Sequence, residues 1–218
     1  MHLSHLRFLS HQCFPIRIFM SAWLGMAMLA GMGMSEALAQ REQMSITDQP
    51  GYIPDPADEQ LSPQFQRQMV FYRSSEAPGT IIVHTSERFL YVVQPNGRAI
   101  RYGIGGGRDG FQWQGLLHIT RKQEWPDWTP PPEMIARQPY LPRFMAGGPG
   151  NPLGARAMYL GNTIYRIHGT NDPSTIGRQV SSGCIRLTNE DVTDLYSRVN
   201  VGTKVVVLPA HQHSASMQ

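Results

Sequence analysis

The sequence predicts a mainly β protein, a sandwich-like arrangement of mostly antiparallel strands with one helix. Short β-branched and aromatic runs recur from residue 79 onward. Glycine (21) and proline (17) are both plentiful, which suits turns better than helical bundles. A single stretch near the C-terminus carries helical periodicity. In chain order, Thr80 to Thr85 is a short β-branched run and reads as a strand. Arg88 to Val93 reads as a second. Gln94-Pro95-Asn96-Gly97 is a turn, because Asn-Gly tolerates the positive φ that tight hairpins need. Arg98 to Ile104 alternates polar and apolar residues and returns as a third strand. The glycines at 103, 105 and 107 are no dinucleotide fingerprint, since no helical pattern follows them. Leu116 to Arg121 is a fourth strand, and Ala157–Leu160 and Thr163–Ile167 make a further pair around Gly161-Asn162. Between them, Trp125 to Pro152 is a long stretch rich in proline, glycine and aromatics. Its tryptophans, Trp125 and Trp128, suggest a wall or lid over a cleft. Thr188 is a good helix N-cap with Asp191 three positions on, and Val192, Leu195, Tyr196 and Val199 then share one face. Lys204 to Leu208 closes the chain as a buried strand.

The first 39 residues read as an address. Arg7 and Arg17 precede an uncharged apolar run, Ile18 to Met34, and Ala37-Leu38-Ala39 forms a small-residue cleavage site before Gln40. Export is therefore expected, with the periplasm or cell wall as destination and membrane contact only through this signal segment. An uncleaved anchor is the alternative. Removing 1–39 takes away two Arg and one Glu, so the net charge falls from +3 to +2. The basic residues form no run, which gives nucleic-acid binding no support. Residues 40–78 are polar and punctuated by proline. They read as a linker with room for a short helix around Gln64 to Val70. Residues 79–209 then form the domain and 210–218 a polar tail.

Cysteine usage narrows the chemistry. Cys13 leaves with the leader, so Cys184 becomes a lone thiol in an oxidising compartment. Such a thiol is either reactive or buried and inert. His168 stands 16 residues before it, at the end of a strand. A thiol is a weak nucleophile until a base takes its proton, and an imidazole is the usual base. Gly183 permits a sharp turn beside the sulfur, and the N–H groups of Gly183 and Cys184 can face a developing oxyanion. The nearby helix start should lower the thiol pKa, and Arg186 can hold a substrate carboxylate. Ser182, Thr170 and Asn171 either line the cleft or shape its loops. His84 and His118 lie in strands away from this cluster.

His168-Gly169-Thr170-Asn171, Ile176-Gly177 and Val180-Ser181-Ser182-Gly183-Cys184-Ile185-Arg186-Leu187 closely resemble the signature of the L,D-transpeptidases, the YkuD catalytic domain. The resemblance spans roughly residues 79 to 208 and includes the segment from Gly147 to Leu160. It implies an L,D-transpeptidase-like β-sandwich with Cys184 as nucleophile and His168 as base. It also implies that the Gly169 carbonyl orients the imidazole, so no acidic third member is needed. The implied reaction is cleavage of a peptidoglycan tetrapeptide stem through a Cys thioester with release of D-alanine. Transfer to an amine follows, giving a cross-link between third residues or attachment of a lipoprotein. No metal or organic cofactor is expected. Hydrolysis of the same stems, as a carboxypeptidase or endopeptidase, is the alternative in chemistry. A non-catalytic wall-binding module is the alternative in class. Many relatives carry His where this chain has Ser182, which argues against Ser182 as an essential base.

Overall fold

The β-branched run Ile81-Ile82-Val83 presents apolar side chains on both faces, and the fold answers by burying all of β2 (Ile81–His84) in the middle of a sheet. The computed structural model describes residues 51–53 and 61–208, which fall within one compact unit. The leader expected over 1–39, the tail over 210–218 and part of the expected linker lie outside the described residues. β3 (Phe89–Gln94) and β4 (Arg98–Gly103) form the expected hairpin, and Asn96 and Gly97 both sit at φ 63° in its turn. Their alternation is clean. Leu90, Val92, Ile100 and Tyr102 face the main core, while Tyr91, Val93 and Ala99 face a second, smaller cluster on the other side.

Three observations differ from the sequence reading. Residues 68–71, expected as linker or helix, are the edge strand β1 (Gln68–Phe71), antiparallel to β4. Among the described residues the 3-10 turn Pro63–Phe65 precedes it. The tertiary partner decides this: β4 has an open edge, and Arg67 is drawn to the carboxylates of Glu190 (3.1 Å), Asp191 (3.2 Å) and Asp194 (3.5 Å). Secondly, the strand after Gly161 begins late, because the Thr163 hydroxyl donates to the Leu160 carbonyl at 2.6 Å and accepts from the Tyr165 N–H at 3.1 Å, holding a turn. The strand, β8, is Arg166–His168 and includes His168. Thirdly, Trp125 to Pro152 is not all loop. It holds α1 (Pro132–Arg137), a bridge between Trp128 and Met145, and a small core of Trp128, Leu141 and Leu153. Buried Asn151 clasps this excursion shut, donating to the carbonyls of Pro126, Met145 and Ala146 and accepting from the Leu153 N–H.

The remaining strands are β5 (Gly106–Gly107), β6 (Gly115–Glu124), β7 (Arg156–Leu160), β9 (Gln179–Ser181), β10 (Ile185–Arg186) and β11 (Lys204–Leu208). Among the described residues they give one nine-stranded sheet, in the order β1-β4-β3-β2-β11-β6-β7-β8-β10, and a small β5-β9 pair. The sheet is mixed: β11 runs parallel to β2, and β10 runs parallel to β8. Strand β6 joins the halves. Its first residues pair with β11, its last with β7, and an irregularity falls between Ile119 and Arg121. Side chains from both halves, such as Val83 and Leu90 with Met158 and Ile167, then meet in one core cluster, the sandwich-like interior that the pattern predicts.

Helix α2 (Asn189–Arg198) starts as expected, with the Thr188 hydroxyl accepting from the Asp191 N–H at 3.1 Å. Val192 and Leu195, each at 0% exposure, close the core beside Val199. We expect Leu195→Ala to cost about 2–5 kcal/mol and Thr188→Ala about 1 kcal/mol in chemical denaturation. A cost below about 1 kcal/mol for Leu195→Ala would mean that the helix is not a structural part of the core.

Candidate functional site

The parallel pairing of β8 with β10 sets the site. Its register matches Ile185 to Ile167 and Arg186 to His168, which extends to Cys184 beside Arg166. Ile167 and Ile185 point into the core, at 0% and 1% exposure. Alternation along a strand then sends Arg166, His168, Cys184 and Arg186 to the opposite face together. The two candidates separated by 16 residues thus share one small surface.

The His168 imidazole is buried, and its Nδ1 lies 2.6 Å from the Gly169 carbonyl oxygen. A carbonyl only accepts, so Nδ1 carries the proton and Nε2 keeps its lone pair. Burial, with Arg186 nearby, pushes the His168 pKa down to about 3 against the pull of the Gly169 carbonyl. Gly169 itself leaves room for helix α2, because a Cβ there would strike the Asn189 carboxamide oxygen. That oxygen also accepts from the Ala155 N–H at 2.8 Å, and the His168 carbonyl accepts from the Leu187 N–H at 2.9 Å.

Cys184 is half-buried, and its Sγ lies 3.8 Å from the Ile164 carbonyl oxygen. Among the described residues no hydrogen bond joins the thiol to His168 in this arrangement. Burial pushes the thiol pKa up; the Arg166 guanidinium, the Arg166 backbone and Arg186 pull it down without overcoming burial. The depression expected from the helix start is therefore not found. Strand β10 and the Thr188 cap stand between Cys184 and the first turn of α2, and a helix terminus acts mainly over its own end.

The turn before Cys184 is held from three sides. Gly183 sits at φ 102°, and a Cβ there would meet Tyr165 Cε1 at 2.6 Å, so only glycine fits. The Trp113 indole N–H donates to the Gly183 carbonyl at 2.7 Å, and the Trp113 ring stacks on Tyr165 at 4.4 Å. The Ser181 hydroxyl accepts from the Gly183 N–H at 3.2 Å and donates to the Cys184 carbonyl at 2.6 Å. The Gly183 amide is thereby engaged within the turn, which leaves the Cys184 N–H as the stronger oxyanion candidate. Beneath the turn, Gly105 and Arg186 exchange backbone hydrogen bonds at 3.0 and 2.9 Å. The glycine run at 105–107 is where β5 pairs with β9 and bridges to β10.

The remaining expected residues separate. Arg186 lies opposite His168, and Ser182 is half-buried beside the turn. Thr170 and Asn171 are buried and serve the loop. The Thr170 hydroxyl accepts from the Asp172 N–H at 3.0 Å, and the Asn171 amide donates to the Tyr52 carbonyl at 3.0 Å. These internal bonds argue against substrate contact. Trp128 packs locally; the excursion reaches toward the Cys184 turn instead through Arg137, whose guanidinium lies 5.0 Å from the Phe111 ring centre. Sequence reasoning missed Trp113, Tyr165, Ser181 and Arg166. Only contacts between distant segments give them their tasks, although an aromatic in the polar stretch at 108–114 was a usable sign. Among the described residues no helix is long and apolar enough to cross a membrane, and no group of three His, Cys, Asp or Glu side chains could hold a metal ion.

One thiol, one carbonyl-tethered imidazole and two arginines thus share one face of the β domain. The L,D-transpeptidase catalytic domain (YkuD) family model matches residues 78–207, and the chain belongs to that family. It is 41% identical over 137 residues to "Probable L,D-transpeptidase ErfK/SrfK" of Escherichia coli strain K12, covering 59% of this chain and 43% of that protein. It is 38% identical over 135 residues to "Probable L,D-transpeptidase YbiS" of the same strain, covering 57% of this chain and 43% of that protein. The chain thus matches less than half the length of these relatives. A solved structure from Brucella melitensis, described as a probable carnitine operon oxidoreductase caia, is 49% identical, covering 69% of this chain and 98% of that one at a TM-score of 0.46.

Two titrations follow from the site. The imidazole signal of His168 should stay in its neutral form down to pH 4.5 in an NMR titration; a midpoint near 6.5 would contradict the burial argument. An unfolded imidazole takes up a proton below about 6.5 and the folded one does not, so this group's stability contribution is full above 6.5 and falls as pH drops toward 3. Between pH 6.5 and 4.5 the loss from this group is about 2 kcal/mol. Asp191, pushed up to about 6, contributes with the opposite slope, so the His168→Gln variant, compared at both pH values, isolates the histidine term. For Cys184, alkylation by iodoacetamide should have its midpoint above that of an ordinary cysteine peptide, and Arg186→Gln should raise it further.

Proposed function

We propose that this chain is a cysteine L,D-transpeptidase that acts on peptidoglycan peptide stems. The observation that carries the reading is the shared face of Cys184 and His168, with Nδ1 tethered to the Gly169 carbonyl and Nε2 left as the proton acceptor. Both resting groups are neutral near pH 7, so the sulfur reacts by general-base assistance and not as a preformed ion pair. Rotation of the Cys184 side chain into another staggered position releases the Ile164 carbonyl and turns Sγ toward the imidazole. Sγ then attacks the carbonyl carbon of the stem's third residue while Nε2 takes the thiol proton. The Cys184 N–H faces the oxyanion, and the adjacent guanidiniums offset the negative charge that develops.

Collapse breaks the carbon–nitrogen bond. The proton on Nε2 passes to the departing amine, D-alanine leaves, and the thioester remains. An acceptor amine attacks the thioester and gives its proton to Nε2; the thiolate leaves and recovers that proton. The acceptor is an amine of a second stem or of a lipoprotein, and hydrolysis results where water takes its place. Family membership and the named relatives support the peptidoglycan substrate. The leader pattern at 1–39 supports export to the periplasm or wall.

The test is incubation of the chain with purified muropeptides, read by mass spectrometry. The expected result is an acyl adduct on Cys184 followed by cross-linked dimers, both lost in Cys184→Ala. Shortened monomers without dimers would replace transfer with hydrolysis. No adduct at all would favour a wall-binding module, a reading that the unbonded thiol and imidazole leave standing.

A further inference from the structure

The carbonyl that tethers His168 Nδ1 belongs to the residue type least able to hold its own carbonyl in place. Glycine has no Cβ to restrict its backbone, so neighbours must fix the plane of the Gly169–Thr170 peptide. On its N–H side Gly169 is tied to β7, donating to the Arg156 carbonyl at 3.0 Å. On its carbonyl side the restraint is steric. Gly154 is buried, sits at φ 63° and packs directly against this peptide. A Cβ on Gly154 would stand 2.5 Å from the Thr170 nitrogen and 2.7 Å from the Gly169 carbonyl carbon. The same Cβ would strike the Asn189 carboxamide oxygen, and so would a Cβ on Gly169. Two glycine backbones thus close around one side-chain oxygen. Gly154 is kept there by its N–H, which donates to the Asn151 carbonyl at 2.9 Å.

Asn189 is the first residue of α2, and the helix does not need its side chain, because the Thr188 hydroxyl already supplies the cap. The carboxamide serves the entry of β7 instead, where its oxygen accepts from the Ala155 N–H at 2.8 Å. A backbone N–H only donates, so the oxygen and not the NH2 group meets it, and that bond pins the oxygen beside Gly154 and Gly169. Val192 Cγ1, on the next turn of α2, closes the junction at 3.1 Å from a Cβ built on Gly169. We infer that Asn189 is a positioning residue that, with Gly154, walls in the Gly169–Thr170 peptide, holds the Gly169 carbonyl on His168 Nδ1 and so keeps Nε2 bare as the proton acceptor. A carbonyl free to swing away would let the imidazole proton move to Nε2. The ring would then present a donor to the thiol, and it could not take the thiol proton. This role rests on the proposed function for what Nε2 does.

A merely structural asparagine would leave the tautomer alone, so the proton on the ring is what to read. Nitrogen NMR of the full chain with isotope-labelled histidine, assigned through His168→Gln, distinguishes the two ring nitrogens near neutral pH. The wild type should show Nδ1 protonated and Nε2 bare. Asn189→Ala should spread the proton over both, lowering the ratio of the Nδ1–H to the Nε2–H form roughly fivefold or more, the factor that one ordinary hydrogen bond carries. Alanine is the best helix former, so α2 loses nothing by propensity. Asn189→Asp keeps an oxygen for the Ala155 N–H and should keep the wild-type tautomer. Acylation of Cys184 by muropeptides should slow roughly tenfold or more in Asn189→Ala and recover in Asn189→Asp. Circular dichroism checks folding, and Asn189→Ser stands in where Asn189→Ala does not fold. A folded variant that keeps the wild-type tautomer overturns the assignment. So does loss of the fold in both Asn189→Ala and Asn189→Ser, because the residue is then a support of the core and not of the carbonyl. The tautomer is read without turnover, so the outcomes stay distinct. A shift in Asn189→Ala with no acyl adduct on wild-type Cys184 upholds the positioning role and sinks the transpeptidase reading; an adduct on the wild type with an unshifted tautomer in the variant does the reverse.

Discussion

The site depends on the pairing of two very short parallel strands, β8 and β10. Each contributes one isoleucine to the core, Ile167 and Ile185, and those buried side chains fix the rotation of both strands. A slip by one residue would turn Cys184 and His168 into the core cluster and the isoleucines out of it, so hydrophobic burial enforces the register that aligns the reactive groups. Strands of this length have little stability of their own. They are held by what surrounds them: β7 on one side, the Gly105–Arg186 backbone exchange beneath, and the Leu187 N–H to His168 carbonyl bond where the chain turns toward α2.

Close packing of backbone is the second condition. Gly183 and Gly169 stand where a side chain would displace an aromatic ring or the first helical residue. Trp113, Tyr165 and Ser181 then fix the turn before Cys184 by one stack and three hydrogen bonds. The sulfur itself is held more loosely than the turn, by a long contact to the Ile164 carbonyl and by Arg166 beside it. Such a distribution suits a group that must change partners during a reaction cycle.

Burial and charge act together on the two reactive groups. Loss of solvent disfavours thiolate and imidazolium alike, whereas the arginines favour the thiolate and oppose the imidazolium. The resting site is therefore poised as a neutral pair in a positive field. Negative charge, whether on sulfur or on an oxyanion, is the form of charge it accepts. A carbonyl orienter at Gly169 fits this balance, because a carboxylate in its place would raise the imidazole pKa and cancel part of the field.

By itself the sequence determined the β-rich class, the Asn96-Gly97 hairpin, the capped helix after Cys184 and the central strands at 81–84 and 204–208. These rest on local chemistry: residue shape, turn conformers and periodicity. It also singled out Cys184, His168, Gly183 and Arg186, because a thiol, a base and a permissive glycine are recognisable as a pattern without coordinates, and the family resemblance added Gly169. The tertiary structure alone decided what depends on distant partners. The open edge of β4 and the carboxylates on α2 turned residues 68–71 into a strand. Asn151 made a folded excursion of what reads as a loop. Thr170 and Asn171 were absorbed into loop bonding, and the Cys184 thiol came out raised in pKa where its place before a helix predicted the reverse. Arg166 was invisible in the sequence for the same reason: its meaning lies in the residue that stands opposite, and register is a property of two strands, not of one.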